Sequence, residues 1–169
     1  TYLDGEKIAA ASDIGPGNCL LDFVMISSQL GDYDKDGQIA SSGTINNLIK
    51  DELMSIFMNM GYPRADDITA YTEPLFTRFE EYKKIPVNEL LRTLVEVTAE
   101  KIKEFYKYCD YPDEVIFHGG GTLNKTLMKS IAEKVRTDIQ TTDHIVPSRY
   151  MESSAFAYLA YADKGVLFK

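Results

Sequence analysis

The sequence predicts an α/β domain with extra helices. Two short β-forming runs each lead into a glycine-bearing turn and then a helix, at residues 7–18 and 114–124. Strand and helix patterns alternate in the C-terminal part of the chain, which is typical of βαβ units and of a sheet covered by helices. One long amphipathic helix pattern separates the two halves. These three observations favour one α/β domain.

Composition narrows the classes of function. The chain has 169 residues, 44% of them hydrophobic, and a formal net charge of −8. It contains no apolar run of the roughly 20 residues that cross a membrane, so no membrane segment is expected. The acidic balance argues against a nucleic-acid surface, where basic stripes are expected. Cys19 and Cys109 lie far apart without CxxC spacing, which favours a reduced, cytoplasmic setting.

The N-terminal half is expected to hold one strand and two clear helices. Residues 7–13 form a β run that stops at a Gly-Pro-Gly turn, which only such residues make easily. Asn18 is expected to cap the next helix, which runs through Leu30. Helical spacing of apolar residues predicts a helix within residues 44–59. Residues 60–84 mix glycine, prolines and scattered aromatics, which predicts a loop with a short helix.

The C-terminal half is expected to hold a central helix, a βαβ unit and a last helix. Pro86 suits the first turn of the central helix, whose apolar stripe reaches about Cys109 and spans about 35 Å. The other expected elements are a strand at 114–118, a helix capped by Asn124, a strand at 138–142 and a helix at 151–162 that buries Phe156 and Leu159.

The segment GDYDKDGQIASSG, residues 31–43, looks at first like a calcium-binding loop. Asp32, Asp34 and Asp36 alternate as the ligands of an EF-hand do. An EF-hand needs a bidentate glutamate at its twelfth position, and that position is Gly43 when Asp32 is the first. The preferred interpretation is a solvated turn whose aspartates bond nearby backbone amides. Calcium binding remains the weaker alternative.

The segment SDIGPGN, residues 12–18, places an acid and a glycine turn between a strand and a helix. The start of a helix carries free N–H groups and a partial positive charge, which suit a phosphate or another anion. Asp13, at the carboxyl edge of the strand, could orient a metal-bound water or a sugar hydroxyl. A tight turn in which Asp13 is a local acceptor fits the same residues equally well.

The segment VIFHGGGTLN, residues 115–124, repeats this strand, glycine turn and helix cap. Gly119, Gly120 and Gly121 let a flat ligand or a phosphate approach the backbone, because no Cβ intervenes. The segment lacks the lysine of a P-loop and the spacing of a dinucleotide fingerprint. The alternative is a glycine-rich turn without a ligand.

Several of these stretches together carry a resemblance to one family. The similar segments are D-I-G-P-G-N-x-L-x-D at 13–22, Y-D-x-x-G-x-x-A-x-x-G at 33–43, LLRTLVEVTAEKI at 90–102, G-G-G-x-x-N at 119–124, T-T-D at 141–143 and E-x-x-A-F-A-x-L-A at 152–160. In this order they resemble the anhydro-N-acetylmuramic acid kinases and the related levoglucosan kinases. Ile14 replaces the threonine of the family's first segment.

The resemblance implies a fold and an activity. It implies an ATP-dependent sugar kinase of the actin, sugar-kinase and Hsp70 superfamily, whose two ribonuclease-H-like domains hold ATP between them. Residues 1–169 would be the C-terminal, nucleotide-binding domain, without its first strand and without the N-terminal domain. Water would be added across the 1,6-anhydro bond of the sugar while ATP phosphorylates the freed 6-oxygen. The chain opens with Thr1, close to a strand pattern, and is expected to be a piece of a longer protein.

The resemblance also implies site residues, cofactors and partners. The adenosine would be bound by Gly119, Gly120, Gly121 and Asn124, and the phosphate and sugar cleft would be lined by Asp13, Gly15, Gly17, Asn18 and Glu152. The two glycine-bearing turns should therefore converge on one wall of a pocket. ATP and Mg²⁺ are the implied cofactors. A small sugar and the N-terminal domain are the expected partners, and a homodimer is possible.

Some family segments are not found in this sequence. They are the S-G-T-S-x-D-G loop, the G-D-F-R segment and the N-x-G-G-I-x-N strand, so the base is expected outside this chain and no catalytic residue is assigned within it. The isolated chain should then be inactive. The P-P-K-[ST]-T-G-R-E segment is not recognisable at residues 63–76, which leaves the sugar preference open. The alternative function is a non-catalytic, kinase-like domain that binds a partner or dimerises.

Overall fold

The computed structural model describes residues 1–58 and 60–162 and has a mixed α/β architecture. Its strands and helices, in chain order, are β1 (Tyr2–Asp4), β2 (Lys7–Ala10), α1 (Cys19–Ser27), α2 (Gln38–Ser41), α3 (Asn47–Met58), α4 (Thr69–Tyr82), α5 (Val87–Tyr108), β3 (Val115–Phe117), α6 (Lys125–Ala132), β4 (Ile139–Thr141) and α7 (Met151–Tyr161). Short 3₁₀ turns lie at Lys35–Gly37, Gly120–Leu123, Thr142–His144 and Ser148–Tyr150. Among these described helices, none combines the length and apolarity that a membrane crossing requires.

Helix α5 is the centre of the core, as its apolar stripe predicts. Its 22 residues span about 33 Å. Leu91, Leu94 and Val95 are fully buried, and α1, α2, α3 and α6 pack around them. Pro86 lies at the N-cap position just before the helix, where its missing N–H leaves no helical hydrogen bond unmade.

Helix α4 corrects the prediction of a loop with a short helix over residues 60–84. It has 14 residues and contains Pro74. Tyr71, Leu75 and Tyr82 fall on one face of the helix and are all buried. Phe23 of α1 also packs edge-on against the α4 face. Burial of this face outweighs the poor helix propensity of Pro74. The prolines were the reason for predicting a loop here.

The strands form two separate sheets within the described residues, rather than one sheet covered by helices. Strand β1, which was not expected, pairs antiparallel with β2, and β3 pairs parallel with β4. Helix α6 connects β3 to β4, so the predicted βαβ unit is confirmed. A groove of about 720 Å³ runs between β1 and β3.

Helix α7 forms where it is expected but does not bury the residues expected of it. Phe156 is 65% exposed and Leu159 is 38% exposed. The main contacts of α7 are with the neighbouring turn Ser148–Tyr150, so no element of the described chain covers its apolar face. The prediction of burial is therefore wrong for this chain on its own.

Candidate functional site

The Gly-Pro-Gly turn before α1 owes its glycines to packing and to backbone conformation. A Cβ on Gly15 would lie 2.9 Å from the Cβ of Lys101 on α5, so only glycine lets the turn approach that helix. Gly17 has a φ of +56°, in the left-handed region that favours glycine. Its carbonyl accepts a hydrogen bond from Thr98 Oγ1 at 3.1 Å. The turn is therefore fixed on α5 without any ligand.

Asn18 does not cap α1 with its side chain, which corrects the sequence prediction. Its Oδ1 lies 3.5 Å from Nδ2 of Asn124, which donates a hydrogen bond to it. Asn124 does cap α6 as predicted, because its Oδ1 accepts from the Leu127 N–H at 3.0 Å. The two asparagines join the two glycine-bearing turns, so the expectation that these turns lie close together is confirmed.

A cavity of about 380 Å³ opens where the two turns meet. Asn18, Gly120, Leu123 and Asn124 line it. A Cβ added at Gly120 would meet no atom within 4 Å, so the backbone there is open to an approaching ligand. The size lies within the range of about 300–1,000 Å³ that small-molecule pockets occupy. We refer to this space as the asparagine cavity.

The acidic loop that resembles a calcium site is a helix cap. Asp34 is buried, and its two carboxylate oxygens accept from the N–H groups of Ile39 and Ala40, each at 2.9 Å. The predicted aspartate–amide hydrogen bonds are confirmed, but Asp34 is buried, so the expectation of a solvated turn is wrong at this residue. Across residues 1–58 and 60–162, no group of three or more His, Cys, Asp or Glu side chains is placed to hold a metal ion.

Replacing Asp34 with alanine should lower the free energy of unfolding by about 2 kcal/mol, because two buried amides lose a charged acceptor. Chemical denaturation of the isolated chain measures this change. Asp32→Ala, at an exposed position of the same loop, is the matched control and should stay within about 0.5 kcal/mol of wild type. Equal decreases in the free energy of unfolding of the two variants would contradict the capping role of Asp34.

The acidic loop also packs against the start of α6. A Cβ on Gly37 would lie 2.2 Å from Asn124 Oδ1, and the Gly37 carbonyl accepts from Thr126 Oγ1 at 2.7 Å. The loop thereby holds Asn124 in place and contributes Tyr33 and Asp36 to the asparagine cavity. Sequence reasoning missed these lining residues, because nothing local indicates that the loop reaches α6.

The electrostatics of the asparagine cavity disfavour an anionic ligand group. Asp22, Asp32 and Asp36 all line it. Burial raises the pKa of the Asp22 carboxyl from its ordinary value. Carboxylates repel phosphate but accept hydrogen bonds from hydroxyl and amino groups. Tyr33 is 61% exposed and offers a ring face for stacking. The cavity therefore suits a sugar and an aromatic base better than a phosphate chain.

A second cavity of about 360 Å³ lies on the other side of the same turn, and we call it the Asp13 cavity. Asp13, Gly15, Asp66 and Tyr71 are among its lining residues. Asp13 Oδ2 accepts from the Asp66 N–H at 2.7 Å. Among the described residues, Oδ1 of Asp13 has no hydrogen-bond donor, so it is free to accept one from a ligand.

Two further side chains bear on the chemistry of these cavities. Cys19 lines the Asp13 cavity, but burial, followed by the nearby Asp22 charge, raises the pKa of its thiol to about 11. This thiol therefore stays protonated and is not an activated nucleophile. Glu152 lies exposed in the first turn of α7 and lines neither cavity. Glu152, a predicted site residue, thus lies outside both cavities.

The fold and the site define the chain as an α/β domain with a cavity where two glycine-bearing turns meet. The family model described as anhydro-N-acetylmuramic acid kinase matches residues 1–165. The chain belongs to the anhydro-N-acetylmuramic acid kinase family. The recognition made from the sequence motifs is therefore confirmed.

Curated relatives carry the same family name. Over 95% of its length, the chain is 30% identical to the anhydro-N-acetylmuramic acid kinase of Phenylobacterium zucineum, covering 42% of that protein. It is 30% identical to the one of Shewanella frigidimarina and 32% identical to the one of Pseudomonas syringae pv. syringae, again over 95% of its length, covering 45% and 46% of them. The chain thus spans a little under half the length of the curated relatives it matches.

Proposed function

We propose that this chain is the C-terminal, nucleotide-binding domain of a cytoplasmic ATP-dependent kinase with a ribonuclease-H-like fold. The kinase phosphorylates anhydro-N-acetylmuramic acid with hydrolytic opening of the anhydro ring, a step of cell-wall recycling. The observation that carries the proposal is the joining of the two turns through Asn18 and Asn124 around an open cavity. Membership of the kinase family supports the reaction class.

The adenosine part of ATP binds in the asparagine cavity. Gly120 lines this cavity between Gly119 and Gly121, and a Cβ at Gly119 or Gly120 would meet no atom within 4 Å. The neighbouring carboxylates accept hydrogen bonds from the ribose hydroxyls, and Tyr33 stacks on the base. The same carboxylates repel the phosphates, which therefore extend out of this cavity.

Mg²⁺ accompanies the phosphates rather than occupying a cage of its own. In the described part of the chain no set of three candidate ligands is clustered, and a nucleotide-bound Mg²⁺ typically uses only one or two carboxylates. When bound, the ion neutralises the charge that develops on the transferred phosphoryl group. No residue of this chain is assigned as its ligand.

Asp13 faces the acceptor sugar. Its Oδ2 is held by the Asp66 N–H, and the residue lines a cavity next to the start of α1. A carboxylate held in this way accepts a hydrogen bond from a water or a sugar hydroxyl and orients it. Gly15 and Gly17 belong to the turn that connects Asp13, in one cavity, to Asn18, in the other.

The rest of the kinase is an N-terminal domain and one further strand. Strands β1 and β3 each pair on one side only within the described residues, and a groove separates them. Leu3 and Ile116 line this groove and are about half exposed. A strand edge binds another strand through backbone hydrogen bonds. The proposed first strand of the domain therefore lies in this groove.

The test is turnover by the intact kinase, in which this chain is joined to the proposed N-terminal domain. The intact protein should release ADP when given ATP, Mg²⁺ and anhydro-N-acetylmuramic acid, and the 169-residue chain alone should not. A coupled ADP assay measures both. No ADP release with any anhydro sugar would reject the substrate class. Turnover by the isolated chain would reject the division of the site between two domains.

A non-catalytic binding module is the second candidate. The exposed apolar face of α7, with Phe156, Tyr158 and Leu159, favours it, because exposed patches of this kind mark association surfaces. Light scattering distinguishes the two functions. A tight dimer of the isolated chain with no affinity for nucleotide would favour the module over the kinase.

A further inference from the structure

A buried ion-pair network lies directly behind Asp13. The carboxylate of Asp66 receives a hydrogen bond from Tyr71 Oη, and its Oδ2 lies 2.5 Å from Arg64 Nε. The side chains of Arg64 and Asp66 are only 10% and 8% exposed. The guanidinium also donates to the Met60 carbonyl at 2.7 Å and to Tyr71 Oη at 3.1 Å. Its planar fork thereby fixes three groups at once.

The network is tied to Asp13 through the backbone as well as the side chain. The Asp13 N–H donates to the Arg64 carbonyl at 2.9 Å, and the Arg64 N–H donates to Ser12 Oγ at 2.9 Å. The Asp66 N–H holds Asp13 Oδ2 at 2.7 Å. Three hydrogen bonds therefore join residues 12–13 to residues 64–66, and one of them holds the Asp13 carboxylate on the Asp66 backbone.

The protonation states of the network are stable around neutral pH. Burial opposes ionisation of Asp66, but the Tyr71 hydroxyl and the Arg64 guanidinium together lower the pKa of its carboxyl. Burial, then the hydrogen bond to Asp66, raises the pKa of the Tyr71 hydroxyl to about 12. Tyr71 thus remains a donor and Asp66 an acceptor, so the network keeps one geometry.

We propose that Arg64, Asp66 and Tyr71 are positioning residues that fix the carboxylate of Asp13 toward the acceptor sugar. This inference rests on the proposed function. Asp66 and Tyr71 line the Asp13 cavity themselves, so a shift of either changes the space that the sugar occupies. Reacting groups must be held within about 0.5 Å of the productive geometry, and a buried Arg–Asp pair supplies such rigidity.

Kinetics of the intact kinase test the positioning role. Tyr71→Phe removes one hydroxyl and keeps the ring, which packs edge-on against Phe57 at 5.4 Å. It should lower kcat about tenfold and leave KM for ATP unchanged. Tyr82→Phe is the matched control, because Tyr82 is equally buried and donates to Glu52 at 2.8 Å, away from both cavities. Equal kcat values in the two variants would overturn the inference.

Hydrogen exchange of the 169-residue chain gives a readout independent of activity. The Asp66 amide should be protected in the wild type and should exchange at least about tenfold faster in Asp13→Ala and in Tyr71→Phe. Unchanged exchange in both variants would overturn the inference even if the kinase is active. Wild-type turnover of zero rejects the proposed function instead, and the exchange result then still decides whether the network holds Asp13.

Discussion

Replacing Gly120 with valine is expected to weaken nucleotide binding to the intact kinase by at least about 100-fold, or about 2.7 kcal/mol. The new side chain points into the open space where the proposal places the adenosine, since no protein atom lies within 4 Å of a Cβ there. The fold should therefore tolerate the change, while the ligand should not. Isothermal titration with ADP measures the affinity, and thermal unfolding without nucleotide checks the fold.

Gly61→Val is the matched control for Gly120→Val. A Cβ at Gly61 also meets no atom within 4 Å, and Gly61 does not line the asparagine cavity. The Gly61→Val variant should bind ADP with wild-type affinity and unfold at the wild-type temperature. Wild-type affinity in Gly120→Val would contradict the placement of adenosine against this turn. A loss in both variants would mean that the effect is not local.

Replacing Gly37 with alanine should lower the free energy of unfolding of the isolated chain by about 3 kcal/mol. The methyl group would overlap Asn124 Oδ1, which lies 2.2 Å from the Cβ position, and overpacking of this kind costs about 1–3 kcal/mol. The left-handed φ of +70° adds about 1–2 kcal/mol for a residue with a Cβ. Displacing Asn124 also breaks its cap on α6 and its contact with Asn18.

Gly5→Ala separates the two contributions to the Gly37→Ala effect. Gly5 has a similar φ of +59°, but a Cβ there meets no atom within 4 Å. The free energy of unfolding of Gly5→Ala should therefore fall by only about 1–2 kcal/mol, which is the backbone strain alone. Chemical denaturation of both variants measures the difference. Equal losses would show that the acidic loop does not pack on α6 as described.

Local patterns were sufficient where the periodicity or the hydrogen-bond partners lie within one segment of the chain. The apolar stripe predicted α5, because one helix face alone determines what its residues bury. The strand, glycine turn and asparagine cap of residues 114–124 predicted both β3 and the start of α6. Asp34 was read correctly as a turn residue, since its partners lie within six positions of it.

Long-range contacts explain where sequence reasoning failed. Pro74 favoured a loop in the prediction. The helix α4 forms nevertheless, because burial of Tyr71 and Leu75 against other helices stabilises it. Phe156 was expected inside, but no described element covers α7. Asn18 resembled a cap, and its side chain instead meets Asn124, a residue distant in the sequence. The helix at α4, the exposure of Phe156 and the contact of Asn18 all depend on residues that are far away in the sequence, and the neighbouring residues do not indicate them.

The candidate site was predictable only in part for the same reason. The two glycine-bearing turns could be found from their strand, turn and helix patterns, and their meeting was expected from the family resemblance. The Arg64, Asp66 and Tyr71 network carries no recognisable motif, because residues 63–76 depart from the family segment there. Its hydrogen bonds to Asp13 become visible only in the structure.

The most direct test of the central claim is an NMR titration of the ¹⁵N-labelled chain with ADP. If both turns form one nucleotide pocket, the amides of Asn18 and of residues 119–124 should shift together along a single saturation curve. Amides of α3, none of whose residues lines the asparagine cavity, should not move. Shifts confined to one turn, or no shift in either turn at saturating ADP, would contradict the account.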